Sequence, residues 1–491
     1  MTYGFFKCIT ELGAPLSRGY KMNRDSILNS RRLSILAFSF SFAYLLSFLF
    51  EGQVLYSLLD LLEVNSSTYI LAAMILHFLG LLTCGLYVKT QVVAKNVMVA
   101  GMGICLIATI PFFFDPSFLW LLGLIISGYT SGCAVASWGF FLKAFTPKNE
   151  RIKSCADVLI YSNILMIVVN VVAMNRSPLI GLILSMLCLL VGIVFTWMLP
   201  VDQEKDQDKA ALNKTQGSIK NSLILLCLFV FIITINSGLM YQVINPAFDH
   251  LTGLVSWYWA VPYIVALAIM RNLPTKAKRS RILYIGMAMI MGAFISFMLL
   301  KRKTSDYILV DTLMLGACGI YDLFWWSILG EMLDYSEKPA QTFGIGLSAN
   351  VFGVLCGGVL GMTIRSIGLP SAELAVIALS VVCVTLVMLP PLNRQLVLLL
   401  KSHAYLAAYD NMSQSQQTHI VSQVKTLDPL TVREQDVLQL ILSGKSNREI
   451  ANALFISENT VKTHARSIFS KYDVSSRAEL ISTLLKNQTL G

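Results

Sequence analysis

The chain has 491 residues, of which 55% are hydrophobic and only 13% are charged, and its formal net charge is +10. Because soluble globular proteins carry about a quarter charged residues, this composition excludes a soluble enzyme, a disordered protein and a secreted disulfide scaffold. It predicts a protein that crosses a membrane several times, with a positive charge that either orients its helices or binds nucleic acid.

Apolar stretches divide most of the chain into candidate membrane helices. Eleven stretches of 18 or more residues contain no Asp, Glu, Lys or Arg, and one more is interrupted only by Asp311 and Asp322. A spanning helix needs about 20 mostly apolar residues, and isolated strands cannot satisfy their backbone hydrogen bonds in lipid. We therefore predict an all-α fold with a twelve-helix transmembrane bundle over 33–393, built from the halves 33–201 and 221–393. The predicted spans are 33–50, 66–88, 97–114, 116–142, 158–175, 177–201, 221–248, 250–270, 282–300, 307–330, 339–364 and 374–393.

Basic residues lie on one side of this bundle. Lys and Arg collect in the N-terminal arm, 1–32, and in the loops after the second, fourth, sixth and eighth spans, whereas 51–65 and 111–118 contain acidic but no basic residues. The run 301–303, which is Lys-Arg-Lys, is the one exception. Since cytoplasmic loops carry the excess of Lys and Arg, both termini are predicted to be cytoplasmic.

The scattered cysteines and histidines do not form a chemical site. The ten cysteines and five histidines stand singly along the chain, so we expect the cysteines to be small buried hydrophobic residues rather than metal ligands or disulfide partners. No nucleophile–base pair or phosphate-binding loop is visible either. We predict no catalytic residue, no metal and no cofactor, and therefore a protein that is not an enzyme.

The tenth predicted span carries a charge in mid-membrane, which is costly and by default indicates a functional site. Asp322 is one helical turn from Trp325 and Trp326, so all three side chains can face one cavity. An acid beside aromatic rings suits a cationic or amphipathic small molecule. A structural hydrogen bond from Asp322 to a neighbouring helix fits the sequence equally well. Glu331 and Asp334, at the end of this span, are expected to pair with basic loop residues.

Six plus six spans around a polar central segment, 202–220, resemble the major facilitator superfamily of transporters. The resemblance covers roughly residues 30–395 and implies a transporter-like bundle. That family usually has a G-x-x-x-D-R-x-G-R-R loop between its second and third helices. Here Gly85 is followed by Lys89 at the Asp position and Val92 at the second Gly position. This departure favours a sensor over a transporter.

Three glycines repeat at helical spacing in the eleventh span. Gly353, Gly357 and Gly361 form a G-x-x-x-G-x-x-x-G pattern. Small residues at this spacing let two helix backbones approach closely in lipid. We expect helix packing at this stripe rather than a substrate passage.

Beyond Asn393 the composition becomes polar. Residues 394–425 are predicted to be a linker, because the stretch 410–419 is rich in Ser, Gln and Asn, and 426–491 to be a small four-helix domain. Within this domain Thr431-x-x-Glu434 is a capping box, and Ser457 can cap the third helix.

The third helix of this domain, from Glu458 to about Tyr472, has two different faces. Its apolar face follows an i, i+4, i+7, i+11 pattern and carries Val461, Ala465, Ile468 and Tyr472. Its polar face has donors, two cations and no acid, and carries Asn459, Lys462, Thr463, Arg466 and Ser470. Such a helix after a tight turn can enter the major groove, where Lys and Arg donate to guanine. Near the helix end, Lys471 suits a phosphate.

Residues 430–480 resemble the LuxR-type helix-turn-helix of bacterial transcription regulators. The match includes the Thr-Val-Lys-x-His core at residues 460–464. The resemblance implies base contacts from Lys462, Thr463 and Arg466, and backbone contacts from Thr460 and Lys471. It also implies double-stranded DNA as the partner of a homodimer that pairs through a helix at about 476–486. A multi-pass protein of this kind is expected in the inner membrane of a bacterium.

Two functions fit these observations. The first is a membrane-bound transcription regulator whose DNA-binding domain is controlled by a small molecule that the membrane domain senses. The second is a secondary transporter with an appended regulatory DNA-binding domain. The altered loop motif and the few buried acids in the first half favour the first function.

Overall fold

The computed structural model describes the chain in several ranges, and every regular element within them is a helix. The ranges are 24–50, 52–62, 66–147, 150–201, 216–273, 279–368, 376–393, 430–443 and 447–474, with the single residues 373, 445, 477 and 480. The chain divides into two compact units, one within 1–203 and 226–389 and the other within 204–225 and 390–491. Most of the predicted arm, the linker 394–425 and most of the predicted helix 476–486 lie outside the described residues.

The first half of the membrane bundle consists of long apolar helices. They are α1 (Arg24–Tyr44), α2 (Gln53–Leu61), α3 (Ser66–Cys84), α4 (Gln91–Thr109), α5 (Phe118–Phe145), α6 (Arg151–Asn175) and α7 (Pro178–Met198). A π-helical segment, Leu45–Leu49, continues α1. The Thr90 hydroxyl accepts a hydrogen bond from the Val93 amide at 3.3 Å and caps α4.

The second half repeats this organisation. Its helices are α8 (Gln216–Leu239), α9 (Thr252–Val255), α10 (Ala260–Arg271), α11 (Arg279–Leu299), α12 (Thr304–Met332), α13 (Pro339–Ile367) and α14 (Val376–Asn393). A π-helical segment, Met240–Ile244, continues α8 just as one continues α1. Gly368 ends α13 in the left-handed conformation, with φ of 72°, which a glycine adopts without strain.

Helices in the described residues stand at all twelve positions where spans were predicted. Ten of them are long and apolar enough to cross a membrane. The helices at the second and eighth positions, which end at Cys84 and Arg271, are apolar but shorter. The all-helical architecture is thus confirmed for the described residues, while the count of twelve membrane crossings stays a prediction.

The glycine stripe of α13 lies directly against α8. A Cβ atom at Gly353 would collide with the carbonyl group of Phe231, and one at Gly357 would collide with that of Ile235. The close backbone approach predicted from the G-x-x-x-G spacing is therefore confirmed. The two helices can pack this closely only because the stripe has no side chains.

Two arginines, one buried and one partly exposed, connect the two halves at the ends predicted to be cytoplasmic. Arg151 of α6 is 2% exposed; it donates to the Gly330 carbonyl at 2.6 Å and pairs with Asp334. Arg271 of α10 holds Asp157 of α6 through two hydrogen bonds, at 2.6 and 3.2 Å. The expectation that Asp334 pairs with a basic residue of a loop region is confirmed, since Arg151 begins α6 directly after the loop.

The C-terminal unit contains three described helices, α15 (Val432–Leu442), α16 (Asn447–Leu454) and α17 (Glu458–Lys471). They share one apolar core, formed by Val437, Leu438, Ile441, Leu442, Ile450, Ala451, Val461, Ala465, Ile468 and Leu480. The turn between α16 and α17 contains Phe455, which has a φ of +56° and a side chain that is 95% exposed.

Candidate nucleic-acid interface and ligand cavity

Helix α17 presents the polar face that its sequence predicts. Val461, Ala465 and Ile468 are buried in the domain core, whereas Lys462 and Arg466 are exposed on the opposite side. The helix begins at a cap, because the Ser457 hydroxyl accepts a hydrogen bond from the Thr460 amide at 3.1 Å. The two predicted faces of this helix are therefore confirmed.

The two cations on the exposed face of α17 point away from the described core of the domain. Within the described part of the chain, neither Lys462 nor Arg466 makes a hydrogen bond or ion pair. The exposed Thr463 hydroxyl donates to the Asn459 carbonyl at 3.1 Å, and the Thr460 hydroxyl shares a hydrogen bond with Ser457 at 2.8 Å. These side chains form a surface rich in donors, with two positive charges available to an outside partner.

Lys471 has a different environment from the one its sequence position suggested. Its ammonium donates to Glu434 Oε2 at 2.7 Å, and its side chain is only 18% exposed. A DNA phosphate contact by Lys471 would use another N–H of the same ammonium group or compete with this ion pair. The helical periodicity could not show this pairing, because Glu434 is 37 residues away in the sequence and meets Lys471 only in the fold.

Glu434, for which the sequence predicts only a helix cap, also contacts α17. It accepts the Thr431 amide at 2.8 Å, which completes the predicted capping box, and also the Ser467 hydroxyl at 2.5 Å. Burial of the carboxyl group raises its pKa, but the hydrogen bonds from Lys471, Ser467 and Thr431 outweigh burial and lower the pKa to about 2. The charged carboxylate thereby fixes α17 against the start of α15.

Two further arginines connect the helices of this domain through backbone carbonyls. Arg433 donates to the Leu454 carbonyl at 3.1 Å and so caps the end of α16. Arg477 donates to the Ile441 carbonyl at 2.9 Å. Burial lowers the pKa of Arg477 to about 10, so its guanidinium stays charged at neutral pH.

A cavity of about 130 Å³ lies inside the membrane unit. Helices of both halves line it, and its wall includes both π-helical segments through Leu45 and Met240. Its polar groups include Asn163, Asn350 and His77, whose ring nitrogen Nδ1 shares a hydrogen bond with the Ser131 hydroxyl at 3.0 Å. The cavity is therefore mostly aromatic and aliphatic, with a few polar groups that could orient a small molecule.

The structure separates the three residues that were predicted to face one cavity. Asp322 and Trp326 line the cavity, but Trp325 does not. Trp325 and Trp326 lie about 60° and 40° to either side of Asp322 on a helix, so packing decides which ring shares its cavity. Trp325 is instead buried, at 2% exposed. The Tyr263 hydroxyl donates to Asp322 Oδ2 at 2.6 Å, so the carboxylate both lines the cavity and bonds to a neighbouring helix.

The cavity also contains a donor without a partner. The indole Nε1 of Trp259 is buried and makes no hydrogen bond within the described residues. A buried, unsatisfied donor costs about 1–3 kcal/mol, which an acceptor on a bound molecule would recover. Asp322 and Trp259 therefore offer one acceptor and one donor in the same cavity.

A second, larger cavity leads away from the first. It has a volume of about 770 Å³ and shares Tyr241, Trp259 and Val354 with the smaller cavity. Its walls include Asp60 and Asp249, which belong to segments predicted to lie on the outer side. Within the described residues, no group of three or more His, Cys, Asp or Glu side chains could hold a metal ion.

Comparisons with known proteins identify the C-terminal domain. Residues 428–484 match the family model "Bacterial regulatory proteins, luxR family". The uncharacterized response regulatory protein YgeK of Escherichia coli is 49% identical over 67 residues, covering 14% of this chain and 46% of that protein. The transcriptional regulatory protein DegU of Brevibacillus brevis is 48% identical over 63 residues, covering 13% of this chain and 27% of that protein. The chain thus spans less than half the length of these curated relatives.

Solved transporter structures share the fold of the membrane unit. The alignment with the human organic anion transporter MFSD10 covers 74% of this chain and 98% of the MFSD10 chain, with a TM-score of 0.57 and 13% sequence identity. The alignment with a bacterial homologue of the iron transporter ferroportin covers 76% of this chain and 98% of the homologue's chain, with a TM-score of 0.54 and 13% sequence identity. At this level of identity the similarity shows the fold and not the activity. The chain is a multi-pass membrane protein with a transporter-like fold and a C-terminal LuxR-type helix-turn-helix domain.

Proposed function

We propose that this protein is a membrane-bound transcription regulator that binds specific DNA through α17 and responds to a small molecule held in its membrane unit. One observation carries the DNA-binding part of the proposal: Lys462 and Arg466 are exposed and unpaired within the described part of a LuxR-type domain. Arginine and lysine on a helix in the major groove donate to guanine O6 and N7, and a threonine such as Thr463 contacts a thymine methyl group or a phosphate. The proposed role is regulation and not catalysis.

DNA capture with the full-length protein in lipid nanodiscs tests this proposal. Genomic fragments are enriched on wild-type protein, and the selected fragments are then titrated with Lys462→Ala and Arg466→Ala variants. Each lost base contact is worth about 1–3 kcal/mol, so each variant should bind the selected DNA about 5- to 150-fold more weakly and with relaxed sequence preference. Binding of the wild-type protein should also weaken steeply with salt, because phosphate contacts release counterions.

A charge-matched control separates base contacts from general electrostatics. Arg281 is exposed at the start of the helix α11 in the membrane unit and pairs with nothing in the described residues. Arg281→Ala should bind the selected DNA like the wild type. Regulation through α17 would be rejected if all three variants bound the selected DNA with the same affinity, or if the wild-type protein enriched no particular sequence.

We place the protein in the inner membrane of a bacterium, with both termini cytoplasmic, and we propose that it binds DNA as a homodimer. The bacterial origin of the related regulators supports the location, and the asymmetry of Lys and Arg between loops supports the orientation. Dimerisation would double the positive surface that α17 offers and would match a two-fold DNA site.

The ligand that we propose is small and carries a cationic group and a hydrogen-bond acceptor. The Asp322 carboxylate and the Trp326 ring line the same cavity, and together they suit a cation. The indole N–H of Trp259, which has no partner in the described residues, suits a hydrogen-bond acceptor. A cavity of about 130 Å³ limits the ligand to roughly the size of a single ring. The larger cavity next to it offers a route from the outer side.

Binding of small amines to the purified protein tests this ligand class. Thermal unfolding in detergent should shift upwards with at least one protonated amine and should not shift in Asp322→Asn, because the counter-charge is then missing. Trp325→Phe is the matched control, since Trp325 lies outside the cavity. Equal shifts in Asp322→Asn and the wild type would remove Asp322 from the ligand site.

A secondary transporter with an appended regulatory domain is the alternative function, and the shared transporter fold favours it. Uptake of a bound amine into proteoliposomes distinguishes the two. Saturable uptake that Asp322→Asn abolishes would support transport, whereas binding without uptake would support a sensor.

A further inference from the structure

A basic pocket at the predicted cytoplasmic face is unrelated to either site above. It has a volume of about 520 Å³ and four cations in its wall, Arg31, Arg32, Lys153 and Arg271. The same wall contains two carboxylates, Glu150 and Asp157. The four positive and two negative charges leave a local excess of two positive charges.

The two carboxylates are already shared among the cations. Glu150 accepts Arg31 at 3.3 Å and Lys153 at 3.1 Å, so one negative charge serves two positive ones. Two nitrogens of the Arg271 guanidinium, Nε and Nη2, each donate a hydrogen bond to the Asp157 carboxylate. Arg32 is exposed and makes no hydrogen bond or ion pair within the described residues. The excess charge is therefore concentrated on Arg32, Arg31 and Lys153.

Part of the lining of this pocket is apolar or aromatic. Ile35 and Leu36 follow the two arginines by one turn of α1, and Leu36 is 37% exposed. Tyr161 of α6, which is 43% exposed, completes this part of the lining. A pocket with cations towards the cytoplasm and exposed apolar side chains towards the membrane interior has the same polarity as a phospholipid.

We propose that this pocket binds the phosphate group of an anionic phospholipid of the cytoplasmic leaflet, with Arg32 as the contact that the protein itself leaves open. A phosphate is a strong acceptor for guanidinium groups, which can bind it through two parallel hydrogen bonds. Basic pockets between membrane helices on the cytoplasmic side suit such head groups. Because Arg271 belongs to the second half and Arg31 to the first, the lipid would contact both halves of the bundle.

Titration of delipidated full-length protein in detergent with short-chain phosphatidylglycerol tests the proposal, with phosphatidylcholine and inorganic phosphate as parallel arms. Native mass spectrometry counts the bound lipids, and the titration gives the Kd. Phosphatidylglycerol should bind more tightly than phosphatidylcholine. Arg32→Gln should weaken phosphatidylglycerol binding about fivefold, the effect of one cation near the lipid surface.

Arg281→Gln is the control variant, because Arg281 is an equally exposed arginine outside the pocket. It should leave phosphatidylglycerol binding unchanged. Equal affinity for the two lipids, or equal weakening by Arg32→Gln and Arg281→Gln, would overturn the proposal. If inorganic phosphate binds as tightly as phosphatidylglycerol and competes with it, the pocket binds a soluble phosphate, and the proposal of a lipid site is overturned.

Discussion

Two interhelical arginines of the membrane unit and two cations on the exposed face of α17 have opposite environments. In the membrane unit, Arg151 and Arg271 are bound to carboxylates and carbonyls of other helices. In the C-terminal domain, Lys462 and Arg466 are exposed and bind nothing within the described residues. A cation that satisfies a partner inside the protein supports the fold, whereas a cation left without one is available to DNA or lipid. The following five predictions probe the membrane unit and the C-terminal domain, from the largest expected effect to the smallest.

The buried guanidinium of Arg151 should be the most costly cation to remove. Arg151→Gln leaves the Gly330 carbonyl and Asp334 without their partner, and removal of one member of a buried pair costs about 3–5 kcal/mol. Thermal unfolding of the full-length protein in detergent should therefore begin at a clearly lower temperature. The exposed Arg281→Gln should unfold like the wild type, and a similar loss in both variants would contradict the contrast.

Substitution in the close contact between α8 and α13 should lower the stability of the protein nearly as much. A methyl group at Gly357 meets the carbonyl of Ile235, so Gly357→Ala forces the backbones apart and should cost about 1–3 kcal/mol. Its neighbour supplies the control, because the nearest atom to a methyl group at Gly358 is Gln242 Cγ at 3.9 Å. Gly358→Ala should leave the unfolding temperature in detergent unchanged or slightly raised. Equal effects at the two positions would show that α8 and α13 do not pack through the stripe.

The Glu434 carboxylate holds α17 through Ser467 and Lys471. Glu434→Gln weakens its charge-assisted hydrogen bonds to Lys471 and Ser467 and should destabilise the domain by about 2 kcal/mol. Hydrogen exchange of the α17 amides in the full-length protein measures the loss. Asp436→Asn breaks only an exposed pair with Arg433 and should cost less than about 1 kcal/mol.

The same carboxylate predicts how the domain responds to acid. Its pKa in the folded domain is about 2, below its ordinary value, so the folded domain binds the proton less readily than the unfolded chain. The stabilisation is complete above about pH 4.5 and is lost as the pH falls towards about 2. Protection of the α17 amides should decline over this range in the wild type. A Glu434→Gln variant with the same decline would assign the acid sensitivity to other groups.

The smallest effect is expected at the turn before α17. Phe455 has a positive φ and an almost fully exposed side chain, so Phe455→Gly removes backbone strain and little packing. We expect a gain of about 0.5–1 kcal/mol in the stability of the domain, measured by hydrogen exchange. Asn452→Gly, in regular helix three residues earlier, should instead destabilise it. A loss of stability in both variants would show that the Phe455 ring supports the domain.

The architecture was predictable because long uncharged apolar stretches mark the membrane helices, while helical periodicity marks the two faces of α17. The exposed position of Lys462 and the cap at Ser457 followed from spacing within about four residues. Contacts between distant segments could not be predicted from local spacing. The pairs Lys471–Glu434 and Arg271–Asp157 join residues far apart in the chain, so no local pattern contains them.

The smaller cavity of the membrane unit shows the same limit at shorter range. Asp322 was recognised because a charge in mid-membrane is costly. Its neighbours Trp325 and Trp326 are equivalent by spacing, and only packing directs Trp326 towards the cavity. Tyr263 and Trp259 come from another part of the chain and carry no sequence signal as ligand groups.

The π-helical segments at Leu45–Leu49 and Met240–Ile244 place one surplus residue in the first helix of each half. A surplus residue turns everything after it by about 100° about the helix axis. The orientation of Phe50 and of the residues after Met240 is thus set by the length of the chain as well as by the identity of its side chains. Deleting a single residue in the first segment would rotate Phe50 away from the smaller cavity, and deleting one in the second would rotate Asn245 and Pro246 away from the larger cavity.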